Sequence, residues 1–103
     1  MSKHLVQGAS ELGEGQVMAV DIGDNFIAIC RSGGELYAID NLCTHELAFL
    51  SDGFIENGAI ECPLHQGRFD LKTGAPLCPP VSEPVKVYRL FREDGNVYVE
   101  VEP

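Results

Sequence analysis

Two short segments carry side chains suited to holding a metal. Cys43-Thr44-His45 sets a thiol and an imidazole with one residue between them; after sixteen intervening residues, Cys62-Pro63-Leu64-His65 sets a second such pair with two residues between them. Each segment offers one soft thiolate and one borderline imidazole, and the two together make a Cys2His2 ligand set. Zinc is the first metal to test. Structural zinc sites, however, keep cysteines together on one element and histidines on another, so that four ligands close a tetrahedron. Here each segment mixes the two types, which suits two neighbouring metal ions of different character. In an extended Cys-x-His the two side chains leave the same face of the chain, so one segment can serve both ions. A 2Fe-2S cluster with one iron on two thiolates and the other on two imidazoles meets that description, and a single zinc is the alternative.

The rest of the chain reads as the frame for these two segments. Apolar residues recur with period two or in short runs, and no window holds a helical repeat. The pattern predicts an all-β fold with strands at 17–22, 26–31, 35–40, 59–61, 68–70, 85–91 and 97–102. Turn residues separate them at Gly23-Asp24-Asn25, Ser32-Gly33-Gly34, Asn57-Gly58, Lys72-Thr73-Gly74 and Asp94-Gly95-Asn96, the last joining two long strands as a hairpin. Ser10-Glu11-Leu12 could start one helical turn, which Gly13 and Gly15 would stop. Two stretches break the β pattern, 41–54 and 62–67, and they are the ones that carry the Cys-His pairs. Side chains that do chemistry commonly sit on loops borne by a rigid sheet.

Composition narrows the function. A chain of 103 residues is about one domain, and its 30 Leu, Ile, Val and Phe residues are enough to build a core. Sixteen acidic residues against seven basic ones leave a net charge of −9. No cluster of Lys and Arg is available to neutralise phosphates, which excludes nucleic acid and disfavours an anionic membrane surface. The apolar run 26–30 is far shorter than a membrane span or a signal-peptide core. A soluble, cytoplasmic monomer is expected, with an acidic surface that steers it towards basic partners. That compartment also argues against reading the four cysteines as a disulfide scaffold.

The string from Cys62 to Asp70, preceded by Cys43-Thr44-His45, resembles the cluster-binding signature of Rieske iron-sulfur proteins. In size and strand layout the whole chain is similar to the ferredoxin components of bacterial multicomponent aromatic-ring dioxygenases. The resemblance implies a Rieske fold of antiparallel sheets in a single domain, residues 1–103, whose part at about 41–81 binds one 2Fe-2S cluster. It assigns Cys43 and Cys62 to the inner iron, and His45 and His65 to the outer iron near solvent, where electrons would enter and leave. The respiratory branch of the family has a disulfide clamp between the two loops; the corresponding positions here are Ala48 and Leu64. Where that branch has a Ser and a Tyr that raise the potential, this chain has Gly67 and Phe69. Rieske potentials span about −150 to +300 mV, and the missing hydroxyls place this chain near the low end.

The implied function is a soluble carrier of single electrons, itself not an enzyme. It would take them from an NAD(P)H-dependent flavoprotein ferredoxin reductase and pass them to a terminal Rieske oxygenase. The alternatives are a small Rieske subunit of another redox enzyme, such as nitrite reductase, and a structural zinc module for protein contacts. Among the remaining residues, Cys30 continues an apolar run and reads as core, and Cys78 reads as a structural thiol. Cys78-Pro79-Pro80-Val81 resembles the family's third loop, which covers the cluster; read from the residues alone, it is a rigid connector. His4 lies in a short terminus without a partner, Arg68 and Asp70 are expected to face solvent, and Glu46 is a candidate for docking basic partners.

Overall fold

The structure, a computed structural model, describes residues 2–44, 47–64 and 66–102. Those residues form eleven strands, β1 (Ser2–Leu5), β2 (Val17–Ile22), β3 (Asn25–Ser32), β4 (Glu35–Asp40), β5 (Phe54–Glu56), β6 (Ala59–Glu61), β7 (Arg68–Asp70), β8 (Pro76–Cys78), β9 (Val87–Tyr88), β10 (Leu90–Glu93) and β11 (Asn96–Val101). Every pairing is antiparallel, and the strands make three sheets, in the orders β1-β11-β10, β2-β3-β4-β9 and β5-β6-β7-β8.

β3 explains why 26–30 reads as an unbroken apolar run. Alternate residues point to opposite faces of a strand: Ile27 and Ile29 join an apolar group with Val97, Val99 and Val101 of the first sheet, whereas Ala28 and Cys30 join one with Ile60 and Phe69 of the third. The middle sheet is therefore covered on both faces. Two-residue turns with left-handed backbone at both positions set the registers, as at Asn57-Gly58 (φ 52° and 76°) and Asp94-Gly95 (φ 53° and 80°). This is the geometry that matches the twist of a hairpin.

The structure adds strands β1, β5 and β8 to those expected from the sequence. β1 pairs with β11 along its whole length, so His4 belongs to a sheet and lies opposite Val99, with its ring nitrogen 3.1 Å from the Ser2 hydroxyl. The single strand expected at 85–91 is two. β9 pairs with β4 of the middle sheet and β10 with β11 of the first, the chain changing sheets at Arg89, whose carbonyl accepts from the Glu100 N–H. The expected helical turn is a short 3-10 helix at Ala9–Glu11. Among the described residues no helix is long and apolar enough to cross a membrane.

Candidate metal centre

The loop after β4 starts as an extension of the middle sheet. The Asn41 N–H donates to the Phe26 carbonyl at 2.7 Å, Leu42 and Phe49 form an isolated antiparallel bridge, and the Cys43 N–H donates to the Ala48 carbonyl at 2.9 Å. The last two, with the Leu50 N–H donating to the Asn41 carbonyl, pinch the two legs of the loop together at Cys43. Buried Asn41 locks the base: its side-chain amide donates to the Ser51 hydroxyl and its carbonyl oxygen accepts the Ser51 N–H. A buried amide satisfied in this way fixes the entry and exit of the loop.

The second loop joins β6 to β7. The Cys62 N–H donates to the Gly67 carbonyl at 2.7 Å, and Gln66 holds a left-handed backbone (φ 60°) that turns the chain within a few residues. Gly67 is there for space. A Cβ on it would lie 2.4 Å from a methyl of buried Val81, so the second loop and the segment after β8 pack backbone against side chain. Segment 78–84, which starts at the last residue of β8, makes two further ties. The Thr44 hydroxyl donates to the Glu83 carbonyl at 2.8 Å, binding it to the first loop, and the Cys78 thiol contacts the Gln66 carbonyl at 3.8 Å, binding it to the second. The sequence carried no signal for these ties beyond the resemblance of Cys78-Pro79-Pro80-Val81 to a covering loop.

Cys43 and Cys62, from the two loops, are buried in one apolar group with Ala48, Leu50, Ile60, Phe69 and Val81. A thiolate in such surroundings is costly unless a metal ion compensates its charge, and no disulfide joins Cys30, Cys43 or Cys78. Two buried sulfur donors from two braced loops fit the thiolate side of a mixed-ligand cluster. His45 and His65, expected on the other side, and Glu46 lie outside the described residues. Cys30 belongs to the same apolar group but sits within β3, fully buried, and burial pushes its thiol up to about 12, which keeps it protonated. Phe69 fills the core below, and Arg68 and Asp70, on the other face of β7, are partly exposed and make surface contacts. Arg68 reaches the Glu56 carbonyl, and Asp70 accepts from the N–H groups of Lys72 and Thr73.

Comparison with known proteins gives the same direction. Residues 2–89 match the family model of the Rieske [2Fe-2S] domain. The chain is 46% identical over 98 residues to the anthranilate 1,2-dioxygenase ferredoxin subunit of Burkholderia cepacia, which covers 95% of this chain and 91% of that one. Among solved structures it superposes on the ferredoxin of carbazole 1,9a-dioxygenase from Nocardioides aromaticivorans IC177 with a TM-score of 0.92 and 35% identity, covering 99% of this chain and all of that one. It also resembles a chain in a complex of reduced oxygenase and oxidized ferredoxin of carbazole 1,9a-dioxygenase, with a TM-score of 0.89 and 36% identity over 94% of this chain and all of that one. The three-sheet frame, the paired loops with their buried thiols and a family match over most of its length together show that the chain belongs to the Rieske [2Fe-2S] family and carries one cluster of that type.

Proposed function

We propose that this protein is the ferredoxin component of an aromatic-ring dioxygenase system. It takes single electrons from an NAD(P)H-dependent flavoprotein reductase and hands them to a terminal Rieske oxygenase. The observation that carries this reading is the end-to-end similarity to ferredoxin components of such systems. Cys43, His45, Cys62 and His65 are the cluster ligands in this reading, on loops within residues 41–81 of a single domain. When bound, the cluster supplies a site that gains and loses one electron.

The protein's part is to hold that site dry and rigid. Cys43 and Cys62 are 7% and 1% exposed, so water has little access to the sulfur side. The N–H groups of both cysteines are engaged in closing their loops, and Thr44 and Cys78 tie each loop to segment 78–84. A frame that moves little between charge states suits fast electron transfer. Phe69 in the core and the bare backbone of Gly67 offer no hydroxyl to the sulfur side, which supports a potential at the low end of the Rieske range.

Anaerobic purification followed by metal analysis, visible absorption and EPR of the reduced protein tests the reading. Two irons per chain and a mixed-ligand EPR signal are expected, whereas a colourless protein with stoichiometric zinc overturns it. Cys43→Ser and Cys62→Ser should abolish assembly, and substitutions at His45 or His65 should abolish it or leave a labile, spectrally altered cluster. Cys30→Ser and Cys78→Ser should keep their iron. Reconstitution with a reductase and an oxygenase should show product formation that depends on this protein.

A further inference from the structure

The base of the first loop carries apolar side chains that the core does not use. Phe26, Leu42 and Phe49 are 41%, 36% and 45% exposed, and Leu47, two residues before Phe49, is 92% exposed. Phe26, Leu42 and Phe49 cohere as a surface. The rings of Phe26 and Phe49 meet edge to face with centroids 6.2 Å apart, and Leu42 is bridged to Phe49. Clustered apolar side chains of this kind on a small acidic protein mark a contact site rather than the scattered exposure found on any surface.

Charge identifies what it contacts. Beside the aromatic pair lies a hollow of about 220 Å³ with Phe26 and Phe49 in its wall and the carboxylates of Asp21 and Asp52 at its edge; no basic residue lines it. Asp21 stands directly across from Phe26 in the β2-β3 register. Among the described residues neither carboxylate has a side-chain hydrogen bond or ion-pair partner. An aromatic face beside two unpaired carboxylates fits one Arg or Lys side chain, by cation–π contact and ion pairing together. A second hollow that also touches Phe26 includes Lys86 with Asp24 and Asp40, so it is less acidic than the Asp21–Asp52 one.

We infer that the Phe26–Phe49 ridge with its Asp21–Asp52 hollow docks the terminal oxygenase through an Arg or Lys flanked by apolar contact. The electron acceptor, rather than the donor, is assigned because carrying an electron adds one negative charge to a chain already at −9. A basic acceptor site therefore holds the loaded carrier more tightly than the spent one and favours release after delivery. The inference rests on the electron-carrier reading above.

The test is the Kd of the reduced, cluster-loaded protein for the purified terminal oxygenase of its own system, at low and at physiological salt, with the cluster's EPR signal recorded for every variant. Phe49→Ser should weaken binding about tenfold, as expected for an aromatic anchor. The double reversal Asp21→Lys/Asp52→Lys should weaken it at least as much at low salt and flatten its salt dependence. Both carboxylates are exposed, so this variant keeps the test valid if Phe49→Ser folds poorly. Leu5→Ser, an exposed change on β1 of another sheet, should stay within about twofold of wild type. Binding of the ridge variants at wild-type strength overturns the inference and leaves the electron-carrier reading standing. An equal loss of affinity for the reductase overturns the assigned occupant. A wild-type protein with an intact cluster that does not bind the oxygenase overturns the carrier reading and the inference together.

Discussion

Replacing Gly67 by alanine tests whether segment 78–84 clamps the second cluster loop. The added Cβ would sit 2.4 Å from one Val81 methyl, 3.2 Å from the other and 3.3 Å from the Val81 Cβ. The first distance is well inside van der Waals contact, and the neighbour has little freedom to give way. Val81 is β-branched, 5% exposed and packed in the group that contains Cys43 and Cys62. Gly67 is equally constrained, because its carbonyl holds the Cys62 N–H at 2.7 Å. Overpacking at such a contact costs about 1–3 kcal/mol. At about 4–8 °C per kcal/mol for a domain of this size, a central cost of about 2 kcal/mol lowers the midpoint of thermal cluster loss by about 8–16 °C. The midpoint is followed by visible absorption of the loaded protein. Val81→Ala should also destabilise, by opening a cavity, but combined with Gly67→Ala it gives back the missing space. The double variant should therefore lie above the sum of the two single losses by about 0.5–3 kcal/mol. A Gly67→Ala protein as stable as wild type, or strictly additive losses, would refute the close approach as the reason for glycine here.

Three further outcomes follow from the packing. In the native, cluster-loaded protein a thiol reagent at neutral pH should label one cysteine, the half-exposed Cys78, because Cys30 is fully buried with its thiol pushed up to about 12; mass mapping that finds Cys30 labelled would contradict this. Tyr88 is held protonated above the ordinary phenol range, first by burial and then by its hydrogen bond to Asp40 and the nearby Asp40 charge. A pKa raised by folding contributes stability that is complete below the unfolded phenol's pKa and is lost as pH rises towards the folded one. Alkaline unfolding should thus show a component that Tyr88→Phe removes, and identical alkaline profiles would count against it. Glu14 is the opposite case, its carboxyl held below the usual range by the N–H groups of Gly34 and Gly33 across the β3-β4 turn. Its contribution is present above the unfolded carboxyl's pKa and fades as pH falls through the folded one, so Glu14→Ala should narrow the difference in stability between neutral and acid pH.

What the sequence made legible follows the range of the forces involved. Strands with local hairpin partners, such as 17–22 and 35–40, were readable because alternation and turn residues lie within a few positions of each other. β1 was not, since Ser2-Lys3-His4-Leu5 has almost no apolar pattern and is a strand only because β11, some ninety residues away, offers it an edge. β8 contains Pro76, which argues against a central strand, and it is found at the open edge of its sheet where a missing donor costs little. The change of sheet at Arg89 had no local mark: 85–91 reads as one continuous strand, and only the two different partners, β4 and β11, divide it. β5, by contrast, does carry a local mark, because Asn57-Gly58 with Ile55 and Ile60 opposite each other is a hairpin signal on both sides.

The cysteines show where sequence and structure each supply part of the answer. Burial alone does not separate ligand from bystander, because Cys30, Cys43 and Cys62 share one apolar group and Cys30 is as inaccessible as Cys62. The element that carries each cysteine does separate them. Cys30 lies in β3 between two paired strands, opposite Val17 and Tyr37, where the backbone is committed on both sides and no second donor is near in sequence. Its raised thiol pKa has burial as its cause, with no positive partner to offset it, so it stays a neutral packing group. Cys43 and Cys62 lie where their strands have ended, in loops closed by their own N–H groups, each two or three residues from a histidine. A loop can offer several side chains to one metal centre, whereas a paired strand flanked by others offers one. The neighbouring histidines were therefore the informative signal in the sequence, and the loop closures are its structural counterpart.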